Sequence, residues 1–223
     1  MMSHYSSQYG RLGGLMSSRA AASARRSTAR TKRAEARERI LAAAERLLRE
    51  RPYRELTVDQ VMAEAGLSRT VFYRHFDGLP ELVLSLLESI VAGPAAQLEA
   101  AAAPADIPNA LVAAVDAYVE HGPFLRAVDE AASHDETIEI AYREVIDELT
   151  KTLAGQLAAG MRSGDIAAAN AYELARALNL MTGRYLLETL GRDPGFDRDL
   201  ALATLLAVWG PLTSQTRSDA RAP

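Results

Sequence analysis

The sequence predicts an all-α protein in two parts: a small N-terminal helix-turn-helix unit and a larger C-terminal helical body. Three observations carry this. Of the 223 residues, 42 are alanine and only 9 are proline, a balance that favours helix over sheet. Apolar residues recur at helical spacing from Ala34 nearly to the C-terminus, in segments closed by Pro and Gly. No alternating run of β-branched residues is long enough for a sheet. The chain is 48% hydrophobic, enough for a substantial core, and lacks cysteine, which excludes a disulfide scaffold, a thiolate metal site and a cysteine nucleophile.

Taken in order, residues 1–33 are rich in Ser, Ala, Gly and Arg without any period, and read as a disordered basic arm. Ile40, Leu41, Ala44, Leu47 and Leu48 then share one face of a first helix, which Pro52 ends. Thr57 and Gln60 form a capping-box pattern opening a second helix with Val58, Val61, Met62 and Ala65 inward. Gly66 suits its left-handed C-terminus, and Ser68 two residues later can cap a third helix. That third helix buries Val71 and Phe72. After Asp77-Gly78, Pro80 fits the first turn of a fourth helix with Leu82, Val83, Leu86, Leu87 and Ile90 inside. Further helices are expected over about 107–120, 124–132, 136–162, 168–190 and 197–213, with breaks at Pro94, Pro104, Gly122-Pro123, Gly164 and Asp193-Pro-Gly195. The expected divisions are an arm at 1–33, a helix-turn-helix unit at 34–80, a helical body at 81–216 and a flexible tail at 217–223.

The net charge of −4 conceals an asymmetry. Residues 1–90 hold 15 Lys/Arg and 10 Asp/Glu, a balance of +5, while residues 91–223 hold 10 and 19, a balance of −9. A basic N-terminal part on an acidic remainder points to nucleic acid as a partner at one end. No basic segment precedes an apolar signal core, and the uncharged stretch 200–216 is interrupted by Gly210 and Pro211, so neither secretion nor a membrane span is expected and the cytoplasm is the default location.

Two short helices joined by Ala65-Gly66-Leu67-Ser68 have the lengths and turn chemistry of a helix-turn-helix. Its second helix must be polar outside to enter a major groove about 12 Å wide. That side offers Arg69, Thr70, Tyr73, Arg74 and His75, with Ser68 at its start. Arginine can read guanine bidentately, and the hydroxyls can fix phosphates. On pattern alone an ordinary helical hairpin in an all-α domain is the alternative. The residues themselves go further: Leu56 to Phe76, above all Ala65-Gly66-Leu67-Ser68 and Phe72-Tyr73-Arg74-His75-Phe76, resembles the DNA-binding signature of the TetR family of bacterial transcriptional regulators. The resemblance implies an all-helical homodimer on a double-stranded DNA operator, released by an effector held in the C-terminal body. It implies that Arg69, Thr70, Tyr73 and His75 face DNA and that Thr57 meets a phosphate. One departure stands out: where the family has Ser-Lys-Glu, this chain has Gly78-Leu79-Pro80. No lysine is present there to meet a phosphate, leaving the basic arm as its candidate replacement.

The stretch 173–185, followed by Trp209, is similar to the EthR-type branch of that family. That resemblance implies a long apolar pocket taking a small, mostly apolar ligand, and a dimer through the last two helices. The ligand positions it suggests are Leu111, Tyr142, Leu149 and Asn179; Thr182, on one helical stripe with Asn179, and the aromatics Tyr118, Phe124 and Trp209 are the further candidates. On residue pattern alone, Asn179 is either a satisfied core or interface asparagine or a ligand anchor, because a polar Asn179–Thr182 pair inside an apolar helix needs hydrogen-bond partners. The aromatics are either core or pocket wall. Residues 200–212 carry no charge on any face, so Leu205 or Leu206 is expected at a subunit interface. His4, His75, His121 and His134 lack ligand spacing, so no metal is expected, and neither is a cofactor or an enzymatic site. The rival reading is an architectural DNA-binding protein without an effector.

Overall fold

The computed structural model describes residues 30–101, 106–163 and 170–213, and it holds helices and turns with no strand among them. Helix α1 covers residues 30–50, so residues 30–33, expected in the arm, are already helical. The rest of the arm, the tail at 217–223 and the expected breaks at Pro104 and Gly164 lie outside the described residues. A 3-10 turn at Tyr53–Glu55 is followed by α2 (Val58–Ala65), α3 (Arg69–Phe72), α4 (Leu79–Ala100), α5 (Ile107–Ala132), α6 (Glu136–Ser163), α7 (Ala171–Glu188) and α8 (Arg198–Thr213).

Local chemistry explains most boundaries. Thr57 Oγ1 accepts the Gln60 N–H at 3.2 Å and Gln60 Oε1 accepts the Thr57 N–H at 2.9 Å, so the capping box forms in full. Gly66 closes α2 at φ 63°, ψ 37°, a left-handed conformation that glycine adopts without strain. Ser68 occupies the N-cap position of α3, but its side chain makes no capping bond.

Two expected breaks do not occur. Helix α4 runs through Pro94, and α5 runs through Gly122 and Pro123 as one helix of 26 residues. Proline removes one backbone donor and crowds the preceding turn, which usually bends or ends a helix. Next to Pro123 the helix is tied to α1, the Glu120 carbonyl accepting from Arg49 at 2.7 Å. Gly122 serves a different purpose from a break. A Cβ there would lie 2.7 Å from the Leu190 carbonyl oxygen, so only glycine lets α5 approach the end of α7 this closely.

The core lies in two clusters. The first joins α1–α4 to the second half of α5, through Ile40, Leu47, Phe72, Phe76, Leu82, Leu86, Phe124 and Val128. The second joins Leu98, Leu111, Leu153, Leu178, Leu186, Leu205 and Trp209 of the body. The first cluster therefore continues past residue 80. Helix α4 has the length and composition to span a bilayer, yet it buries Leu82, Val83, Leu86, Leu87, Ile90 and Leu98 within the protein. On α8, Ala201, Leu205 and Trp209 face inward and Leu206 is half-buried, while Leu200 and Val208 are exposed. Of the pair Leu205 and Leu206, Leu205 is thus a core residue, on the side where α8 lies against α5, and Leu206 is the one left for the expected subunit interface.

Candidate nucleic-acid interface and ligand cavity

The helix-turn-helix presents its outer side as expected. Ser68, Arg69, Thr70, Tyr73 and Arg74 are exposed, Phe72 is fully buried, and Val71 and His75 are half-buried. The α-helical part is short, but backbone bonds from Arg74 to Val71 and from His75 and Phe76 to Phe72 carry the coil on to Phe76. Phe72 anchors it, edge-on to Tyr73 at 5.3 Å and tilted to Phe76 at 5.6 Å. Arg39 holds the turn from behind, donating to the Ala65 carbonyl at 2.6 Å.

The outer side chains are already engaged with one another. Arg69 donates to both carboxylate oxygens of Asp59 at 3.2 Å and to the Tyr73 hydroxyl at 3.2 Å. Reading DNA with Arg69 requires it to leave Asp59, an acid that phosphates repel. Thr57 is exposed, but its hydroxyl proton points to Gln60 Oε1 at 3.0 Å and must turn outward to meet a phosphate.

Two residues not singled out from sequence join this surface. Arg33 donates to the Arg74 carbonyl at 3.1 Å, and the Arg37 guanidinium lies over the Phe76 ring at 5.5 Å. One helical turn separates them on α1, and that spacing was the available signal. Burial, and then the charges of Arg33, Arg37 and Arg74, hold the His75 pKa below its ordinary 6.5. His75 is therefore neutral at pH 7, beside a cluster of cations suited to phosphates.

The second site lies in the body. Two adjoining lobes, about 130 and 80 Å³, share Pro94, Ala114, Leu149, Asn179 and Thr182 in their walls. Tyr118 and Tyr142 line the larger lobe, and Leu111 and Trp209 the smaller. Seven of the eight expected ligand positions thus converge. Phe124 does not: it is fully buried in the first core cluster, where the second half of α5 packs with α1–α4. The cavity also uses Ile146, Gly183 and Leu186, of which the last extends the α7 stripe through Asn179 and Thr182.

Asn179 and Thr182 do not pair with each other. Asn179 Nδ2 donates to Thr150 Oγ1 on α6 at 3.1 Å, and Thr150 donates on to the Ile146 carbonyl at 2.8 Å. Trp209 Nε1 donates to Thr182 Oγ1 at 3.2 Å. The Asn179 carbonyl oxygen and the Tyr118 and Tyr142 hydroxyls make no hydrogen bond among the described residues. Burial and then the charge of Asp129 push the Tyr142 pKa up to about 12. Burial, followed by Tyr142 and Asp129, raises that of Tyr118 as well. Both phenols stay protonated and can donate.

A helix-turn-helix that exposes Arg69 and Arg74 beside Arg33 and Arg37, on a helical body that holds an apolar cavity, is the architecture of a helix-turn-helix transcriptional regulator. The family model for bacterial regulatory proteins of the tetR family matches residues 40–86, and that for the C-terminal domain of the transcriptional regulator EthR matches residues 99–214. The HTH-type transcriptional regulator EthR of Mycobacterium tuberculosis is 30% identical over 172 residues, 73% of this chain and 80% of the relative. A TetR-family regulator from Rhodococcus sp. superposes with a TM-score of 0.71 at 18% identity, over 81% of this chain and all of that one. FadR from Bacillus subtilis, solved in complex with stearoyl-CoA, superposes with a TM-score of 0.66 at 17% identity, over 80% and 98% of the two chains. The chain belongs to the TetR family of transcriptional regulators and, within it, to the EthR type.

Proposed function

We propose that this regulator is a ligand-released repressor. A homodimer grips a palindromic operator through its two α3 segments and lets go when a small, mostly apolar molecule fills the cavity. The observation that carries this is the continuity of α4. Its first half packs Leu82, Val83 and Leu86 into the helix-turn-helix core, while Leu87, Ile90, Pro94 and Leu98 reach the cavity wall. Lobes of 130 and 80 Å³ are well below the roughly 300–1,000 Å³ of typical ligand sites. A ligand must push the walls apart, and α4 transmits that displacement to the DNA-reading unit. The two α3 segments must lie about 34–36 Å or a multiple apart to meet two half-sites, and a ligand that favours another spacing releases DNA.

In this reading Ser68, Arg69, Thr70, Tyr73, Arg74 and His75 face the groove and Thr57, Arg33 and Arg37 its phosphates. Asn179, Tyr118 and Tyr142 fix the polar end of the ligand. The dimer forms through α7 and α8, whose exposed Leu180, Met181, Leu200 and Val208 would otherwise meet water. The stearoyl-CoA of the FadR structure, with its long apolar chain, is in keeping with a ligand of this class. The site of action is the bacterial cytoplasm.

Ala114 lines both lobes, so Ala114→Phe fills their join. Operator affinity, read by fluorescence anisotropy, should fall while helix content and dimer mass stay unchanged, and apolar molecules should cease to raise the melting temperature. A dimeric Ala114→Phe with wild-type operator affinity would overturn release by cavity filling. A footprint without a discrete palindrome would favour the architectural reading.

A further inference from the structure

A second concave site lies between the end of α1, the turn at Tyr53–Glu55, the second half of α5 and the connection from α7 to α8. It measures about 450 Å³ and shares no wall residue with the apolar cavity. Its wall holds Arg49, Arg51, Arg54, Arg126 and Arg192 against two acids, Glu50 and Glu130. Three of these arginines come from residues 1–90, which carry +5, and two, Arg126 and Arg192, from residues 91–223, which carry −9.

Three of the five arginines are partly neutralised. Arg49 pairs with Glu45 at 2.6 Å, Arg54 with Glu130 at 3.3 Å and Arg192 with Glu188 at 3.1 Å. Arg51 and Arg126 make no side-chain hydrogen bond or ion pair among the described residues. Two unpaired guanidiniums facing one cleft repel each other, and an anion between them removes that repulsion. Guanidinium forks match phosphate oxygens bidentately. The volume exceeds what one phosphate needs and falls within the range of small-molecule sites. DNA held at α3 does not account for the cluster: Arg33 contacts Arg74 in the turn that follows α3, and Arg49 is 16 residues further along α1, about 24 Å at 1.5 Å per residue.

We propose that this cleft binds a phosphorylated small molecule with at least two negative charges, of the nucleoside-diphosphate class. Arg49, Arg51 and Arg54 belong to the DNA-reading unit, and Arg126 and Arg192 to the ligand-holding body. An anion bridging them ties the two units in one orientation. The repressor then has a second small-molecule input, separate from the apolar cavity and independent of whether that cavity releases DNA.

The test uses full-length protein and isothermal titration with inorganic pyrophosphate, ADP and, at matched ionic strength, sulfate. Wild type should bind pyrophosphate and ADP saturably at one site per chain, more tightly than sulfate. Arg51→Gln/Arg126→Gln removes only unpaired side chains, so the fold should persist by circular dichroism and affinity should fall about tenfold or more. A control pair, Arg33→Gln/Arg37→Gln, should bind as wild type does. The proposal is overturned if no ligand binds saturably, if sulfate binds equally well, or if binding survives in the cleft variant and disappears in the control pair. The last result would place the anion on the DNA-reading surface.

Discussion

Helix α8 sorts its apolar residues onto two faces, and substitutions on each should do different things. Leu200 keeps 55% of its surface exposed and Val208 keeps 46%, whereas Leu205 keeps 2%. Full burial of such a side chain stabilises by about 1.5–3 kcal/mol, so Leu200 and Val208 each have about 1 kcal/mol still to gain. A two-fold interface uses every residue twice, so the two positions together contribute about 4 kcal/mol to a dimer. Val208→Asp forfeits about half of this and buries two uncompensated carboxylates, at several kcal/mol more. A loss of about 4 kcal/mol or greater raises the dimer Kd by about a thousandfold. Sedimentation equilibrium at micromolar concentration should show monomers with unchanged helix content. Operator affinity should collapse on a full palindrome far more than on a half-site. Leu205→Ala opens a cavity inside one chain instead, costing about 2–5 kcal/mol and lowering Tm, with the dimer Kd nearly unchanged. The reasoning fails if Val208→Asp and Leu200→Asp both sediment as wild-type dimers, or if Leu205→Ala dissociates the dimer without lowering Tm.

Tyr73→Phe should weaken operator binding by about tenfold with Tm unchanged, since it deletes one exposed hydroxyl; equal affinity would show that Tyr73 does not touch DNA. Removing residues 1–29 deletes four arginines and no acid, and every arginine among them that pairs with a phosphate should lower the slope of log affinity against log salt by about 0.9 when it is gone. Identical slopes would show the arm to be idle. Burial pushes the Glu45 carboxyl up, but Arg49 and His121 outweigh it and hold the pKa below 4.5. The stability this contributes is present above pH 4.5 and is lost as pH falls through the lower folded value. Acid denaturation curves of Glu45→Gln should therefore be flatter than wild type below pH 4.5, and superimposable curves would rule the pair out as a pH-linked contact between α1 and α5.

Features that rest on near neighbours along the chain could be read before any folding was known. The capping box at Thr57 and Gln60, the left-handed Gly66 and the buried Phe72 beneath exposed Arg69 and Tyr73 all follow from helical spacing and local hydrogen bonding, so the DNA-reading unit was legible. The α7 stripe through Asn179 and Thr182 was legible for the same reason, but not the partners of its polar groups, Thr150 and Trp209, which lie 29 and 27 residues away in sequence. Other features depend on segments that meet only in the folded chain. Pro94 and Pro123 read as helix ends because each removes a backbone donor, yet packing against neighbouring helices sustains α4 and α5 through them. Gly122 read as a break, and its purpose appears only where α5 meets the Leu190 carbonyl. Leu205 and Val208 are equally apolar in sequence; the position of α5 sends the first into the core and leaves the second exposed. The arginine cleft is assembled from α1, α5 and the α7–α8 connection, and its charge is visible only once those distant segments are folded together.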